Sequence, residues 1–345
     1  MKIRPVVTGL GAGLLFGIAT PVSKMILSAL NSFQLAGLLY FGAAIAFVPF
    51  LIRNGRTEFS ALKRSDKKLY LAGIVLFGGI LGPVFLMIGL KTADAMSVSI
   101  WLNLEMAATA ILGVLFFKDH LDRYATGGLV LTLIAGILIS LQETGSGIVS
   151  GMFVLIACIF WGLDNHLSAL VDGVSPQTIT FIKGVAGGIT NLTTGMILSP
   201  QLPHPEYIPL ALLTGVFSYG ISIAMYVSSA QNLGATRSQM LFSTAPFWGI
   251  ITAWILLGET VGIMTILSFI ILSGGIFLMN LASHTHEHLH HKMVHIHEHS
   301  HNDDHHDHFH EGISGRNLKH AHLHEHKEKT HAHLHFPDLH HRHEH

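Results

Sequence analysis

Charged side chains are scarce in this sequence. Asp, Glu, Lys and Arg make up 12% of its 345 residues, whereas hydrophobic residues make up 50%. Soluble domains usually carry about 25% charged residues, so this composition indicates a membrane protein. With the histidines neutral the net charge is −1, which gives no reason to expect nucleic acid as a partner.

Cysteine is nearly absent as well. The single cysteine, Cys158, lies inside an apolar run, so an intramolecular disulfide is excluded and we expect a small core side chain. Catalytic motifs are also missing: there is no P-loop, no zinc-protease helix and no Ser–His–Asp arrangement that spacing would support. We therefore expect neither an enzyme nor a required cofactor.

Long apolar runs, in contrast, are abundant. They are long enough to cross a bilayer, which predicts an all-α membrane protein with ten transmembrane helices. The runs lie at about 6–23, 35–52, 69–90, 95–117, 125–141, 148–170, 177–198, 207–230, 239–257 and 261–282. The first run could imitate a signal peptide, but nine more spans and no clear small-residue cleavage site follow it, so we interpret it as the first helix.

Basic residues indicate the orientation of these helices. An even number of spans puts most Lys and Arg on one side, which the positive-inside rule identifies as the cytoplasm. These residues are Lys2 and Arg4 before the first helix, Arg53, Arg56, Lys63, Arg64, Lys67 and Lys68 after the second, Lys118 and Arg123 after the fourth, and Arg237 after the eighth. The prediction is a plasma (inner) membrane protein with both termini in the cytoplasm.

The two halves of the apolar region resemble each other. Residues 233–259 align with residues 93–119 at an offset of 140, which puts Glu259 on Asp119. Earlier in each half, Phe16-Gly17 matches Trp161-Gly162, and Ser32-Phe33-Gln34 matches Ser175-Pro176-Gln177. Each half would hold five helices, and this odd number forces the halves into opposite orientations. We therefore predict two inverted five-helix repeats, residues 1–142 and 143–283, with a substrate site near the midplane between them.

Histidine is concentrated at the end of the chain, where residues 284–345 hold 24 of the 27 histidines among few large apolar residues. Such a segment cannot bury a core, so we expect a disordered cytoplasmic tail. Alternating imidazoles lie on one side of an extended chain and are favoured ligands, so the tail is predicted to bind Zn, Ni, Co or Cu at several loose sites. The alternating candidates are His284, His286, His288, His290, His295, His297, His299, His301, His320, His322, His324 and His326.

An acidic residue lies in the middle of the fourth apolar run. At that depth Glu105 would cost roughly 2.5–3.5 kcal/mol, so we expect it to face the protein interior or a wet cavity. Trp101 and Thr109 lie one turn away on the same face, and Asn103 could offer a neutral oxygen to a substrate. Glu105 is interpreted as a proton-coupling or cation-binding residue, and the alternative is a structural carboxylate.

Asp164 and Lys183 form a second candidate pair. Each lies about ten residues from the centre of the loop that joins their helices, so a rise of about 1.5 Å per residue puts them at similar depth. We predict an ion pair, with either a gating or a structural role. Asn165 could also bind substrate. His166 is expected to hydrogen-bond a neighbour or to reach toward the cytoplasmic interface, with a metal-ligand role as the alternative. Lys24 could snorkel or meet an anionic substrate group.

Three parts of the sequence together form a recognisable pattern: Phe16-Gly17 through Pro21 and Lys24, Trp161-Gly162, and the block from Leu233-Gly234-Ala235-Thr236 through Ala245-Pro246 to Gly258-Glu259. In this pattern the chain resembles the EamA family of the drug/metabolite transporter superfamily, over roughly residues 6–282. The chain departs from the family at Asn103-Leu104-Glu105-Met106, where the fourth helix often has a proline, and at Asp119, where glutamate is frequent. The resemblance implies a secondary transporter, commonly an exporter, and a native His-rich tail, but it does not fix a substrate.

These observations predict transport by alternating access, with the lipid bilayer, a small solute and protons as partners. The first substrate hypothesis is a divalent transition metal collected or sensed by the tail. The second is an amino acid or small metabolite, with a regulatory tail. A membrane-bound metal sensor or buffer is a third alternative, and a homodimer is a hypothesis that the sequence leaves open.

Overall fold

A computed structural model describes residues 3–117, 123–143, 145–171, 173–200, 203–281, 284–290, 293–299, 320–326 and 329–335. The residues up to 281 form a helical unit, and the strands between 284 and 335 form a separate unit. Within the described residues, the α-helices are α1 (Ile3–Gly17), α2 (Ala19–Ile26), α3 (Ser32–Arg64), α4 (Lys68–Gly73), α5 (Gly82–Thr92), α6 (Ala95–Trp101), α7 (Leu104–Phe117), α8 (Arg123–Ser140), α9 (Gly145–Ala169), α10 (Pro176–Leu198), α11 (Ile208–Thr214), α12 (Ser222–Leu233), α13 (Ala235–Phe242), α14 (Ala245–Leu257) and α15 (Ile263–Leu281).

Local sequence explains several helix ends. Asn31 starts α3 because its side chain accepts the amide of Gln34, whose own side chain accepts the amide of Asn31. Ser175 starts α10 in the same way by accepting the Thr178 amide. Gly258 ends α14 with φ 67°, a left-handed conformation that suits glycine.

Most of the predicted spans are present as membrane-compatible helices. Within the described residues, eight helical stretches are long and apolar enough to cross a membrane: Pro5–Ile26, Ser32–Arg64, Lys68–Thr92, Ala95–Phe117, Arg123–Ser140, Gly147–Ala169, Pro205–Leu233 and Ala235–Leu257. The two remaining predicted spans correspond to α10, which has 23 residues, and to α15, whose apolar part Ile263–Leu278 is shorter. A total of ten spans therefore stays a prediction.

Five of these stretches depart from regular α geometry, one of them at Ile18 between α1 and α2. Wider π-helical turns join α4 to α5 at Ile74–Leu81 and α11 to α12 at Gly215–Ile221. The stretch from α6 to α7 is interrupted at residues 102–103, and the stretch from α13 to α14 at residues 243–244. Such interruptions free backbone groups and are frequent where membrane proteins bind solutes.

The helices pack in pairs that join the two halves of the chain. α3 lies along α10 and α8 along α15, while α5 packs against α9 and α1 packs against α12. Glycine permits the first contact, because a Cβ atom on Gly184 of α10 would lie 2.7 Å from the Ala44 amide nitrogen of α3. Large buried side chains such as Tyr40, Trp101 and Tyr219 fill the interior.

The described part of the tail contains four strands, β1 (His284–His290), β2 (Met293–His299), β3 (His320–His326) and β4 (Lys329–His335). β1 pairs with β4 and β2 with β3, both antiparallel. The register puts histidine positions opposite each other, for example His286 opposite His333 and His297 opposite His322. The composition of the tail predicts disorder, whereas the structure has four paired strands in this part of the chain. Histidine alternates with a period of two, which is the period at which side chains alternate between the two faces of a strand.

Candidate functional site

Three helices bring polar side chains together around Glu105. Its Oε1 atom accepts a hydrogen bond from Asn165 Nδ2 of α9 at 2.8 Å. The same amide nitrogen lies 3.1 Å from Thr109 Oγ1 and 3.3 Å from Gln239 Oε1 of α13. All four side chains are buried, and we call them the carboxylate site. An amide NH₂ has two hydrogens, so its three acceptors compete for them.

Beside this site lies the predicted ion pair. Lys183 Nζ donates to Asp164 Oδ2 at 2.6 Å, and both side chains are buried, which confirms that the two residues approach each other. Ser168 Oγ donates to the second oxygen of Asp164 at 3.2 Å. Gly78 of the first π-helical turn lies against the carboxylate, where any side chain would collide with it. The negative charge of Asp164 is therefore already compensated.

An aromatic cluster lies next to the carboxylate site, because Trp161 is one helical turn before Asn165 on α9. The aromatic cluster consists of Phe16, Tyr40, Trp161, Tyr219, Tyr226 and Phe242. The ring centroid of Phe16 lies 5.8 Å from that of Trp161, 5.5 Å from that of Tyr219 and 5.1 Å from that of Phe242. Tyr226 extends the cluster beyond Phe242 at 5.3 Å, and Tyr40 extends it beyond Tyr219 at 5.5 Å.

Two members of the aromatic cluster hold the first π-helical turn. The hydroxyl of Tyr40 and the indole nitrogen of Trp161 both donate to the carbonyl oxygen of Gly78, the latter at 3.3 Å. In contrast, the buried hydroxyls of Tyr219 and Tyr226 have no hydrogen-bond partner among the described residues. The site thus contains two buried hydroxyls whose hydrogen-bonding capacity is unused.

Lys24 donates hydrogen bonds to backbone carbonyl oxygens of a distant segment. Its Nζ donates to the carbonyl oxygens of Leu90, Lys91 and Ala93 at 2.9, 3.1 and 2.8 Å. These carbonyls belong to the end of α5 and the residue after it, where intrahelical donors are missing. The structure therefore shows a third arrangement besides the two that the sequence suggested for Lys24.

Two carboxylates hold the next residues of the same loop. Glu259 accepts the amides of Ala95 and Met96 at 2.7 and 2.8 Å, at the start of α6, and Glu143 accepts the amide of Asp94 at 3.2 Å. Burial raises the pKa of Glu259 more than these two amide hydrogen bonds lower it. We call Lys24, Glu143 and Glu259 the loop clasp, because together they fix the connection from α5 to α6.

Two of the predicted site residues, Trp101 and Asn103, lie at the break between α6 and α7. Trp101 turns its indole toward α8, donating to the Gly136 carbonyl oxygen at 3.1 Å and to Ser140 Oγ at 3.0 Å. The interruption after Trp101 removes the regular one-turn spacing to Glu105 on which the sequence argument relied. Asn103 is buried at the interruption, and its amide nitrogen has no hydrogen-bond partner among the described residues.

His166 behaves as a structural neighbour. Its Nε2 atom lies 2.8 Å from the Thr109 carbonyl oxygen, and its ring stacks on Phe117 at 4.2 Å, which confirms the expected hydrogen bond. Within the described residues, no group of three or more His, Cys, Asp or Glu could hold a metal. In the tail, His301 lies outside the described residues. Metal binding by the eleven other tail candidates, whose strand positions are described, stays a prediction.

Sequence reasoning missed Gln239. This residue lies at the start of a predicted span. Large polar side chains are rare in spans and are a reason to expect a functional site, so its amide could have identified it. Its role depends on contact between α13 and α9, which lie far apart in sequence. The clasp role of Glu259 was missed for the same reason, since its partner amides lie 163 and 164 residues earlier.

Comparisons with known proteins agree with this architecture. The model of the EamA-like transporter family matches residues 3–141 and 149–281. An uncharacterized transporter of Methanothermobacter thermautotrophicus is 29% identical over 291 residues, which cover 78% of this chain and 83% of that protein. A solved crystal structure has a TM-score of 0.63 at 16% identity, covering 80% of this chain and 97% of its own, a likeness that concerns the fold alone. The chain belongs to the EamA-like transporter family and is an integral, multi-pass membrane transporter.

Proposed function

We propose that this protein is a secondary transporter that exports a small solute by alternating access, with Glu105 as the proton-coupling residue. The observation that carries the proposal is the environment of Glu105. Its carboxylate is buried among neutral groups of the carboxylate site, whereas the nearby cation Lys183 is bound to Asp164. A buried acid without its own counter-ion is favoured in its neutral form until a cavity opens to water.

The packing of the helices supports ten spans in two inverted repeats. If each helix is replaced by its counterpart in the other predicted half, the α3–α10 pair and the α8–α15 pair stay the same. The same replacement converts the α5–α9 pair into the α1–α12 pair, as a two-fold repeat requires. The π-helical turns, at Ile74–Leu81 and Gly215–Ile221, also fall at matching positions. In this proposal both termini face the cytoplasm of the plasma membrane, and the halves rock around the site between them.

The His-rich tail has a separate role in the proposal. We assign binding of Zn, Ni, Co or Cu to the tail, and the carboxylate site to the transported solute. A divalent metal as the transported solute, collected by the tail, is the alternative that the sequence raised. An amino acid or metabolite exporter with a regulatory tail is the second. A metal sensor or buffer without transport is the third, and a homodimer is compatible with each of them.

The test uses the full chain in proteoliposomes that contain a pH-sensitive dye. Amino acids, organic amines and Zn²⁺ are added one at a time under a pH gradient, and proton movement that depends on solute is recorded. Glu105→Gln keeps the acceptor for Asn165 but cannot exchange a proton, so the solute-dependent signal should fall at least tenfold. The matched control is Glu206→Gln, because the Glu206 side chain is 68% exposed and lies outside the site.

Three results would contradict the proposal. If no added solute is transported and none causes proton movement, the protein is better described by the third alternative, a metal sensor or buffer without transport. If Glu105→Gln transports with an unchanged pH response, Glu105 is not the coupling residue. A chain truncated after Ser283 separates the tail from transport: we expect unchanged transport and lost metal binding, whereas loss of Zn²⁺ transport on truncation would favour the metal hypothesis.

A further inference from the structure

We propose that the solute bound between the carboxylate site and the aromatic cluster is a small organic monocation, an amine or quaternary ammonium on an apolar body. This inference rests on the proposed function and adds the class of the substrate. It combines three features of the described residues: the uncompensated carboxylate, the contiguous aromatic rings, and the unused hydroxyls of two of those rings.

The charges of the region favour a single positive charge on the solute. Asp164 and Lys183 cancel each other at 2.6 Å. Once Glu105 has released its proton, it leaves one net negative charge, and among the described residues its carboxylate accepts a hydrogen bond from the neutral amide of Asn165. A monocation restores neutrality in this low-dielectric site. A zwitterion would bring its own carboxylate close to Glu105, and the nearby ammonium of Lys183 is already engaged.

The aromatic cluster provides a surface for the rest of such a solute. Its rings form a continuous series with centroid separations of 5.1–5.8 Å, contributed by α1, α3, α9, α12, α13 and the second π-helical turn. Aromatic faces attract ammonium groups and accept apolar bodies. Trp161 lies one helical turn before Asn165 on α9, which puts the indole and the carboxylate site at adjacent levels.

The unused hydroxyls indicate where the charged head would lie. Tyr219 and Tyr226 are buried, and their oxygens have no hydrogen-bond partner among the described residues. The Tyr226 ring packs on Phe242, which lies one helical turn after Gln239 of the carboxylate site on α13. A tyrosine oxygen can accept a hydrogen bond from a primary ammonium. These hydroxyls therefore offer two acceptor oxygens within the aromatic cluster that a solute ammonium group would use.

The donor set suits an organic cation better than a bare divalent metal. A transition metal needs several imidazole, thiolate or carboxylate ligands around one point. In the part of the chain that the structure describes, no three such residues gather. The carboxylate site instead offers one acid, two amides and a hydroxyl, next to aromatic faces. Organic ammonium groups are the cations that such surroundings recognise.

The experiment measures binding of three probes to the full chain in nanodiscs by titration calorimetry. Tryptamine, tryptophan and indole-3-propionate share one ring and differ in charge. We expect tryptamine to bind at least tenfold more tightly than either of the others. Glu105→Gln should weaken tryptamine binding at least tenfold, while the exposed control Glu206→Gln should leave it unchanged. Tighter binding of tryptophan than of tryptamine would overturn the proposal, as would displacement of tryptamine by equimolar Zn²⁺.

Variants of the aromatic cluster test the contact itself. Tyr226→Phe removes only a hydroxyl that has no internal partner, so folding should be retained and the Kd for tryptamine should rise about threefold. Trp161→Leu should raise the Kd about tenfold, within the range of cation–π contacts. Phe247→Leu is the matched control, since Phe247 packs on Phe269 at 4.9 Å in another cluster.

The outcomes of these titrations separate this inference from the proposed function. An unchanged Kd in both Tyr226→Phe and Trp161→Leu would overturn the inference, and so would a failure of all three probes to bind. Transport of an amino acid with no tryptamine binding would overturn the substrate class while leaving the transporter intact. Tryptamine binding without any flux in proteoliposomes would instead contradict the proposed function alone.

Discussion

The buried ion pair between Asp164 and Lys183 allows a quantitative test of the structure. Asp164→Asn leaves a buried ammonium, and Lys183→Met leaves a buried carboxylate. Removing one partner of a buried pair typically costs about 3–5 kcal/mol. An ordinary lysine loses its proton at neutral pH at a cost of about 4–5 kcal/mol. The destabilisation by a lone buried ammonium cannot exceed this cost, because the lysine would otherwise become neutral. The double variant leaves no charge, so it should lie within about 1–2 kcal/mol of the wild type.

These costs have opposite pH dependences. Each unit of rising pH makes loss of an ammonium proton cheaper by about 1.4 kcal/mol, so Asp164→Asn should recover stability toward high pH. Each unit of falling pH makes protonation of a carboxylate cheaper by the same amount, so Lys183→Met should recover toward low pH. At neutral pH both single variants should melt about 10 °C below the wild type, using about 2–4 °C per kcal/mol.

The assay is thermal unfolding in nanodiscs, read by intrinsic fluorescence between pH 5 and 9. Ser168→Ala serves as control, because it removes the neutral hydrogen bond to Asp164 at 3.2 Å and should cost only about 1 kcal/mol. The reasoning is wrong if the two single effects add up in the double variant. It is also wrong if the single variants share one pH dependence.

Further predictions concern the loop clasp and the glycine contact. Because burial raises the pKa of Glu259, the folded protein binds its proton more tightly than the unfolded chain, so stability falls as pH rises through the window between the usual glutamate value and the raised one. Glu259→Gln cannot titrate, so the difference in Tm between the wild type and this variant should change across that window; a constant difference would contradict the clasp. Lys24→Met leaves three carbonyl oxygens without their donor and should cost about 1–3 kcal/mol in thermal unfolding, whereas exposed Lys68→Met should cost almost nothing. Gly184→Leu should prevent close packing of α10 on α3 and lower the yield of folded protein, while Gly55→Ala, with no atom nearer than 3.8 Å, should behave as the wild type.

Sequence reasoning worked best where one helix or one short loop decides the geometry. The depths of Asp164 and Lys183 follow from counting residues on either side of their loop, and the structure joins them. The burial of Glu105 follows from its place in a span, and the structure buries it. The rise per residue of a helix is enough to predict the first result, and the cost of a charge in lipid is enough to predict the second.

Prediction was weaker where contacts depend on distant segments or on interrupted helices. An unbroken helix would put Trp101 on the same face as Glu105. The structure has a turn at residues 102–103, and the Trp101 indole donates to the Gly136 carbonyl oxygen of α8. The three carbonyl partners of Lys24 belong to a loop about 70 residues away, which no local pattern indicates. Gln239 likewise becomes informative only once α13 is known to meet α9.

The first π-helical turn, Ile74–Leu81, restricts how its helix can change. One wide turn contains an extra residue, so reverting it to ordinary pitch rotates everything beyond it by about 100°. Such a rotation would withdraw the Gly78 carbonyl from Tyr40 and Trp161 and carry Gly79 away from the Asn191 amide that it accepts at 3.1 Å. The number of residues in this helix therefore determines which side chains face its neighbours. Insertion or deletion of one residue here should be far less tolerated than a conservative substitution.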